Sequence, residues 1–287
     1  MVKSTALRTQ LEDIRVQSIG WLMTAITVFK ATVVSTLLYG CGSWVNMTET
    51  QEKLIEAIQR QCLFTVLGIS NRCSYISLLH VTGIQPAREM VKKTKVTFLN
   101  DLLHIKGKGI CVKTLWEDYK INPNKGLISE VKGFCKDWKI PDVTTHYMNP
   151  KTLKTRIEGM IKSKVLTGTL SSKSAPLHHM RNKKNAQRDY FTMPKERALL
   201  GLSYDIGCLN LRNNRKAESL KKFGSIQCMV PACTGPDSLE HIVYECQGYQ
   251  TKPCKDKGIS EDFIDYLFRL NKERISRFKT SMVNWKS

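Results

Sequence analysis

Near the carboxyl end of the chain, Cys228, Cys233, His241 and Cys246 share one short window with the spacing C-x4-C-x7-H-x4-C. Thiolate sulfur and imidazole nitrogen are the donors zinc prefers, and a structural zinc site fills all four tetrahedral positions from the protein. Pro231 and Gly235 suit the turn that sets the first two thiolates side by side. A short helix over 240–246 would present His241 and, just over one turn later, Cys246. Leu239, Ile242 and Val243 would supply a miniature core around the ion. So short a segment cannot fold on burial alone, which makes the metal its source of stability. Four protein ligands leave no position for water or substrate, so the expected Zn2+ is structural rather than catalytic. Cys254 is an alternative to Cys246, in a more polar and less compact setting.

The second chemical signal is charge. The 287 residues carry 45 Lys and Arg against 25 Asp and Glu, a net +20, while 41% are hydrophobic, enough for a packed core. A surplus of this size implies a polyanionic partner, either nucleic acid or an acidic membrane face, and of the two nucleic acid, as RNA or single-stranded DNA, is the one expected. The excess is uneven: residues 151–222 hold 17 Lys and Arg against 5 Asp and Glu. Candidate phosphate contacts are Arg181, Lys183, Lys184 and Arg188 in a polar run, and Arg212, Arg215, Lys216, Lys221 and Lys222 just before the cysteine window. Tyr244 and Tyr249 are candidates to stack on unpaired bases; Tyr244 is equally placed to pack on the little zinc core.

The other cysteines, Cys41, Cys62, Cys73, Cys111, Cys135 and Cys208, are scattered, some within apolar helical patterns where free cysteine behaves as a small hydrophobe. The polar opening residues do not read as a secretory signal. Together these point to a reducing compartment, nucleus and cytoplasm, rather than secretion. The apolar stretch Gly20–Gly40 is just long enough to span a bilayer, but Lys30 at its centre and five Thr or Ser dilute it. A buried helix and no membrane association are expected.

The elements that must position these residues are helical. Leu7, Leu11, Ile14 and Ile19 form one stripe of a first helix, and a second runs Trp21–Tyr39 into Gly40-Cys41-Gly42. Thr48 and Gln51 have capping-box spacing and open a helix whose Leu54, Ile55, Ile58, Cys62 and Val66 face a core, ending at Gly68. A short helix covers 74–81. Pro86 then starts one with Ala87, Met90, Val91, Phe98, Leu102 and Ile105 inward. Further helices are expected over 111–119 and 127–138. After Asn149-Pro150 comes another, carrying Leu153, Ile157, Met160, Ile161 and Val165. Residues 168–176 look like a linker. The fold expected is mainly α: thumb-like helices over 1–70, a helical connector over 71–148, a basic segment over 149–225, a knuckle over 226–250 and an amphipathic helix over 258–280.

Four collinear patches carry a resemblance. The stretch 29–44, ending Leu37-Leu38-Tyr39-Gly40-Cys41-Gly42-Ser43-Trp44, resembles the segment just after the polymerase palm of non-LTR (LINE-type) retrotransposon reverse transcriptases, where Leu-Leu-Tyr-Gly-x-Glu-x-Trp is typical. Gly42 stands in place of the usual acidic residue. Residues 59–69, ending in Leu67-Gly68, are similar to the family's next helix, and 77–86, with Gly83-Ile84 and Pro86, to the turn after it. Leu209 to Asn214, the cysteine window and Ser238-Leu239-Glu240-His241 resemble its C-terminal Cys-Cys-His-Cys element. Residues 110–195 match nothing in the family. The resemblance implies thumb helices, a connector and a zinc knuckle that handles template RNA or target DNA. It also implies a partner in trans, the rest of a reverse transcriptase. The family's catalytic Asp pair, which shares the metal ions of phosphoryl transfer, is not among these residues, and no Pro-Asp of an associated endonuclease follows Cys246. The expectation is therefore a truncated, non-enzymatic fragment with no catalytic residues. Competing expectations are a host zinc-containing adaptor for a protein partner, a membrane-tethered protein, and a decayed element with no stable product.

Overall fold

A computed structural model describes residues 20–69, 73–104, 109–171 and 189–206, and in the cysteine window 227–228, 233–236, 238, 241 and 245–246. The chain is mainly helical, with no strand among the described residues beyond one isolated bridge. The helices expected at Leu7–Ile19 and over 258–280 lie outside the described residues. None of the described helices is long and apolar enough to cross a membrane.

Helix α1 begins as Trp21–Phe29, widens to a π-helix over Lys30–Val34 and ends with the turn Ser35–Leu37. The widening coincides with a β-branched run and with hydroxyls that bond back to the ladder: Thr32 Oγ1 donates to the Val28 carbonyl at 2.7 Å. Gly40, at φ 67°, turns the chain into the 3₁₀ turn Cys41–Ser43. Here a Cβ on Gly42 would lie 3.2 Å from Phe98 Cβ and Cγ. The position where the resembled family has a carboxylate is thus closely packed against a helix.

Thr48 caps α2, Glu49–Leu67, with both bonds of the capping box made, and Gly68, at φ 65°, closes it. The expected inward face is only half right. Cys62 and Val66 are buried, whereas Leu54 is 59% and Ile58 38% exposed. Burial starts at Gln59, which the apolar pattern passed over. Its Oε1 accepts from Tyr75 Oη at 2.6 Å and Ala87 N–H at 2.7 Å, and its Nε2 donates to the Gln85 carbonyl at 2.9 Å. One amide thereby ties α2 to α3, Tyr75–Thr82, and to the start of α4, Ala87–His104.

α4 is also rotated from the expected face. Ala87 and Val91 point inward, but they are followed by Lys95, Val96, Leu99, Asn100 and Leu103, while Phe98 is 40% exposed. The two polar members are satisfied. Lys95 Nζ reaches Glu130 at 2.7 Å, and Glu130 also accepts from Asn46 N–H at 2.6 Å. Asn100 exchanges two bonds with the Met148 backbone, donating at 3.0 Å and accepting at 3.1 Å. Buried polar groups paired in this way cost little, so they can occupy a core face.

α5 (Ile110–Ile121), α6 (Gly126–Asp137) and α7 (Pro150–Ser171) complete this unit. α4 packs on α6 and α7, and α5 on α6. Val96, Leu99, Leu127, Val131, Trp138, Leu153, Ile157 and Ile161 form their core. Asn149 caps α7, its Oδ1 accepting from Lys151 N–H at 3.0 Å. α7 continues through Gly168 to Ser171, so part of the expected linker is helix. Gly168 sits where a Cβ would be 3.4 Å from Ile76, and Thr167 and Thr169 bond back to Ser163 and Val165. The small and hydroxylated residues serve helix packing here, not flexibility. The compact unit takes in 26–68 and 75–172. In the second unit, the 3₁₀ turn Asp189–Thr192 and α8, Lys195–Asp205, bury Phe191, Met193, Ala198 and Leu202, and Lys195 Nζ lies 5.0 Å from the Trp21 ring centre.

Gln59→Leu should destabilise the chain by about 3 kcal/mol, because it strands two donors and a carbonyl in the core. Thr48→Ala should cost about 1 kcal/mol through loss of a cap. Urea denaturation followed by circular dichroism measures both, and the reverse order would refute this account of the core.

Candidate metal centre

The cysteine window is assembled by backbone bonds before any ligand is counted. Cys228 N–H donates to the Gly235 carbonyl at 2.9 Å, and Gln227 bridges Pro236 in antiparallel fashion. Ser238 Oγ accepts from His241 N–H at 3.2 Å, three residues on, the spacing of a helix N-cap. Cys246 N–H then donates to the His241 carbonyl at 2.7 Å. This is a π-type closure, which corrects the short helix of ordinary pitch. Ligands five residues apart would be separated by about 140° around an α-helix; an i→i+5 bond returns the fifth residue to the first one's side.

All four ligand atoms lie within 4.8 Å of one another. Cys228 Sγ is 3.7 Å from Cys246 Sγ, which is 3.9 Å from Cys233 Sγ. Two sulfurs bound to one tetrahedral ion at the usual zinc–sulfur length stand about 3.8 Å apart. Cys233 Sγ to His241 Nε2 is 3.1 Å, against about 3.6 Å in such a site. The ring would need to retreat by about half an ångström. The donors fit a divalent metal ion. Among the described residues this is the one cluster of three or more His, Cys, Asp or Glu suited to a metal.

Three supporting residues escaped sequence reading in these roles. Glu245 Oε2 lies 3.2 Å from His241 Nδ1. With Nδ1–H donating to that carboxylate, the Nε2 lone pair faces the sulfurs, the usual outer partnership of a ligating histidine. The H-x3-E spacing was the available signal. Gly235 suits the expected turn, and it also makes room for the ligand, because any Cβ there would clash with the His241 ring at Cε1 and Nδ1. Ser238, noted only within the resemblance, is the cap. Cys228, His241 and Cys246 are buried, with Cys233 half-buried. The Gly235 backbone N–H, and then hydrogen bonds with His241 and Cys246, hold the Cys233 thiol below its ordinary range. A lowered pKa favours the thiolate that a metal requires.

The remaining candidates fare differently. Arg181, Lys183, Lys184, Arg188, Arg212, Arg215, Lys216, Lys221, Lys222, Tyr244 and Tyr249 lie outside the described residues, as do Cys208 and Cys254. Cys41, Cys62 and Cys135 are free and buried, as small hydrophobes should be, and burial pushes the Cys41 and Cys135 thiols up. Cys111 is free and exposed. Cys73 departs from the expectation: it is buried and disulfide-bonded. Comparison with protein-family models, curated proteins and solved structures finds no match to this chain.

Gly235→Ala should abolish stable metal binding, and Glu245→Gln should weaken it by about tenfold or more. Competition of the refolded protein against a chromogenic chelator reads both. Unchanged affinity in Gly235→Ala would refute the ring packing.

Proposed function

We propose that this chain is a nucleic-acid-binding protein of retrotransposon reverse-transcriptase origin, similar to the thumb and knuckle portion of the non-LTR enzymes, and that its metal is structural zinc. The observation that carries this reading is the meeting of Cys228, Cys233, His241 and Cys246 within 4.8 Å, in a chain of net charge +20. Three sulfurs and one imidazole are a closed structural set for zinc, and softer donors than calcium or magnesium would take. The zinc holds the knuckle in shape, while basic side chains supply affinity for phosphates of RNA or single-stranded DNA. The four collinear family-like patches support the origin. No polymerase chemistry is assigned, because no adjacent Asp pair occurs in these 287 residues.

A reducing setting, nucleus and cytoplasm, agrees with the free thiols, above all exposed Cys111; the Cys73 disulfide speaks against it. A second reading, a zinc-containing adaptor for a protein partner, draws on α2, where Leu54 and Ile58 stand exposed one turn apart.

The purified, reduced chain should contain one zinc and bind a 20-nucleotide RNA at low salt, with affinity falling steeply as salt rises. Cys228→Ser with Cys233→Ser should remove the zinc and weaken RNA binding. No primer should be extended in magnesium. Metal-free protein of native fold, or RNA binding indifferent to both salt and the double substitution, would sink the proposal.

A further inference from the structure

We propose that the outward face of α7 is a track for a nucleic-acid phosphate backbone. The inference rests on the nucleic-acid reading above and assigns it a surface within the basic segment 151–222, at residues other than the candidate phosphate contacts named from the sequence. α7 buries Leu153, Ile157 and Ile161 in the core, and its exposed side carries Lys151, Lys154, Arg156, Lys162 and Lys164. Its one acidic residue, Glu158, is held by Lys93 of α4 at 2.9 Å, so its charge is neutralised within the fold. Lys164 lies 3.4 Å from Glu89. The positive charges of Lys154 and Lys162, about one turn to either side, also bear on Glu158, but among the described residues Lys151, Lys154, Arg156 and Lys162 make no direct ion pair.

The geometry suits a strand. At about 100° per residue, Lys151, Lys154 and Lys162 fall within about 80° of one another around the helix and span about 16 Å along it. That length covers about five nucleotide steps at a rise of 3.4 Å per strand residue. Thr155, between Lys151 and Lys162, already spends its hydroxyl on the Lys151 carbonyl, which leaves the lysine ammonium groups as the main donors of this face. Recognition would therefore be by charge and would carry no sequence preference.

Other polyanions fit less well. A helix that lies on a membrane must leave its apolar face free to insert, and that face of α7 is already in the core. A protein interface needs large apolar or aromatic anchors; on this side of α7 Leu166 is the one large apolar side chain above a third exposed.

The test uses the full chain with Lys151→Gln, Lys154→Gln and Lys162→Gln together. All three sites are exposed. Affinity for a 20-nucleotide RNA should fall about tenfold or more at moderate salt, and the slope of log affinity against log salt should shrink by about 2. The matching Lys→Arg triple should bind like the parent. A control that removes equal charge elsewhere, Lys113→Gln, Lys120→Gln and Lys136→Gln on α5 and α6, should have a much smaller effect. Parent-like binding by the α7 triple, or an equal loss in the control, would overturn the proposal. If the α7 triple binds normally while the Cys228/Cys233 double substitution does not, only the α7 surface fails. If the parent binds no RNA even at low salt, the nucleic-acid reading fails with it. Retention on acidic phospholipid vesicles without RNA binding would count equally against both.

Discussion

Deprotonated thiolates 3.7 to 3.9 Å apart repel one another, by about 4 kcal/mol per pair at the intermediate dielectric of a protein surface. A metal ion held at their centre would convert that repulsion into attraction and close the window from Cys228 to Cys246 around one point. The arrangement around the four donors fits this constraint. Gly235 gives up a side chain so that the imidazole can come close, Ser238 caps the turn beneath it, and Glu245 fixes which imidazole nitrogen faces inward. The π-type bond from Cys246 to His241 is what allows a five-residue separation to deliver both ligands to one side.

The helical unit obeys a different constraint. Its helices are held in register by buried polar groups as well as apolar contact. Gln59 joins three elements, Lys95 anchors the loop at Asn46 through Glu130, and Asn100 takes the place of a backbone partner for Met148. Such groups are expensive if orphaned and nearly neutral when satisfied, so they specify one arrangement rather than adding much net stability. Loss of either member of the Lys95–Glu130 pair would leave a charge without its partner, a far larger penalty than loss of an exposed ion pair such as Lys53–Glu49.

That distinction explains what was legible in the sequence. Local signals held: the Thr48–Gln51 box, the left-handed glycines at 40, 68 and 83, and the Asn149 cap are where side-chain chemistry placed them, because each depends on residues within one turn. The inward faces of α2 and α4 were misread because hydrophobic periodicity counts Gln59, Lys95 and Asn100 as solvent-facing. Only their tertiary partners, up to 48 residues away, make them interior. The four donors of the metal centre were legible for the opposite reason. Ligand chemistry is so selective that residue type and spacing are enough, whereas Glu245 and Gly235 matter only through the position of a ring that spacing does not reveal.

Charge placement on α7 follows from the same division between local pattern and tertiary pairing. Lys93 and Glu158 pair across two helices, and Lys164 faces Glu89, so these acids have direct partners within the fold. Lys151, Lys154, Arg156 and Lys162 make no direct ion pair, although Lys154 and Lys162 also bear on Glu158, and they project from a helix whose opposite side is fixed in a core. A rigid row of cations loses less conformational freedom on meeting a polyanion than the same charges on a flexible segment would. Counterions condensed on that polyanion are released in proportion to the phosphates engaged. If α7 and the cysteine window both contact one strand, as proposed, each would raise the other's effective concentration there, because engagement of one makes binding of the other intramolecular. Moderate affinity in each would then be sufficient, and on this proposal neither surface needs to read sequence.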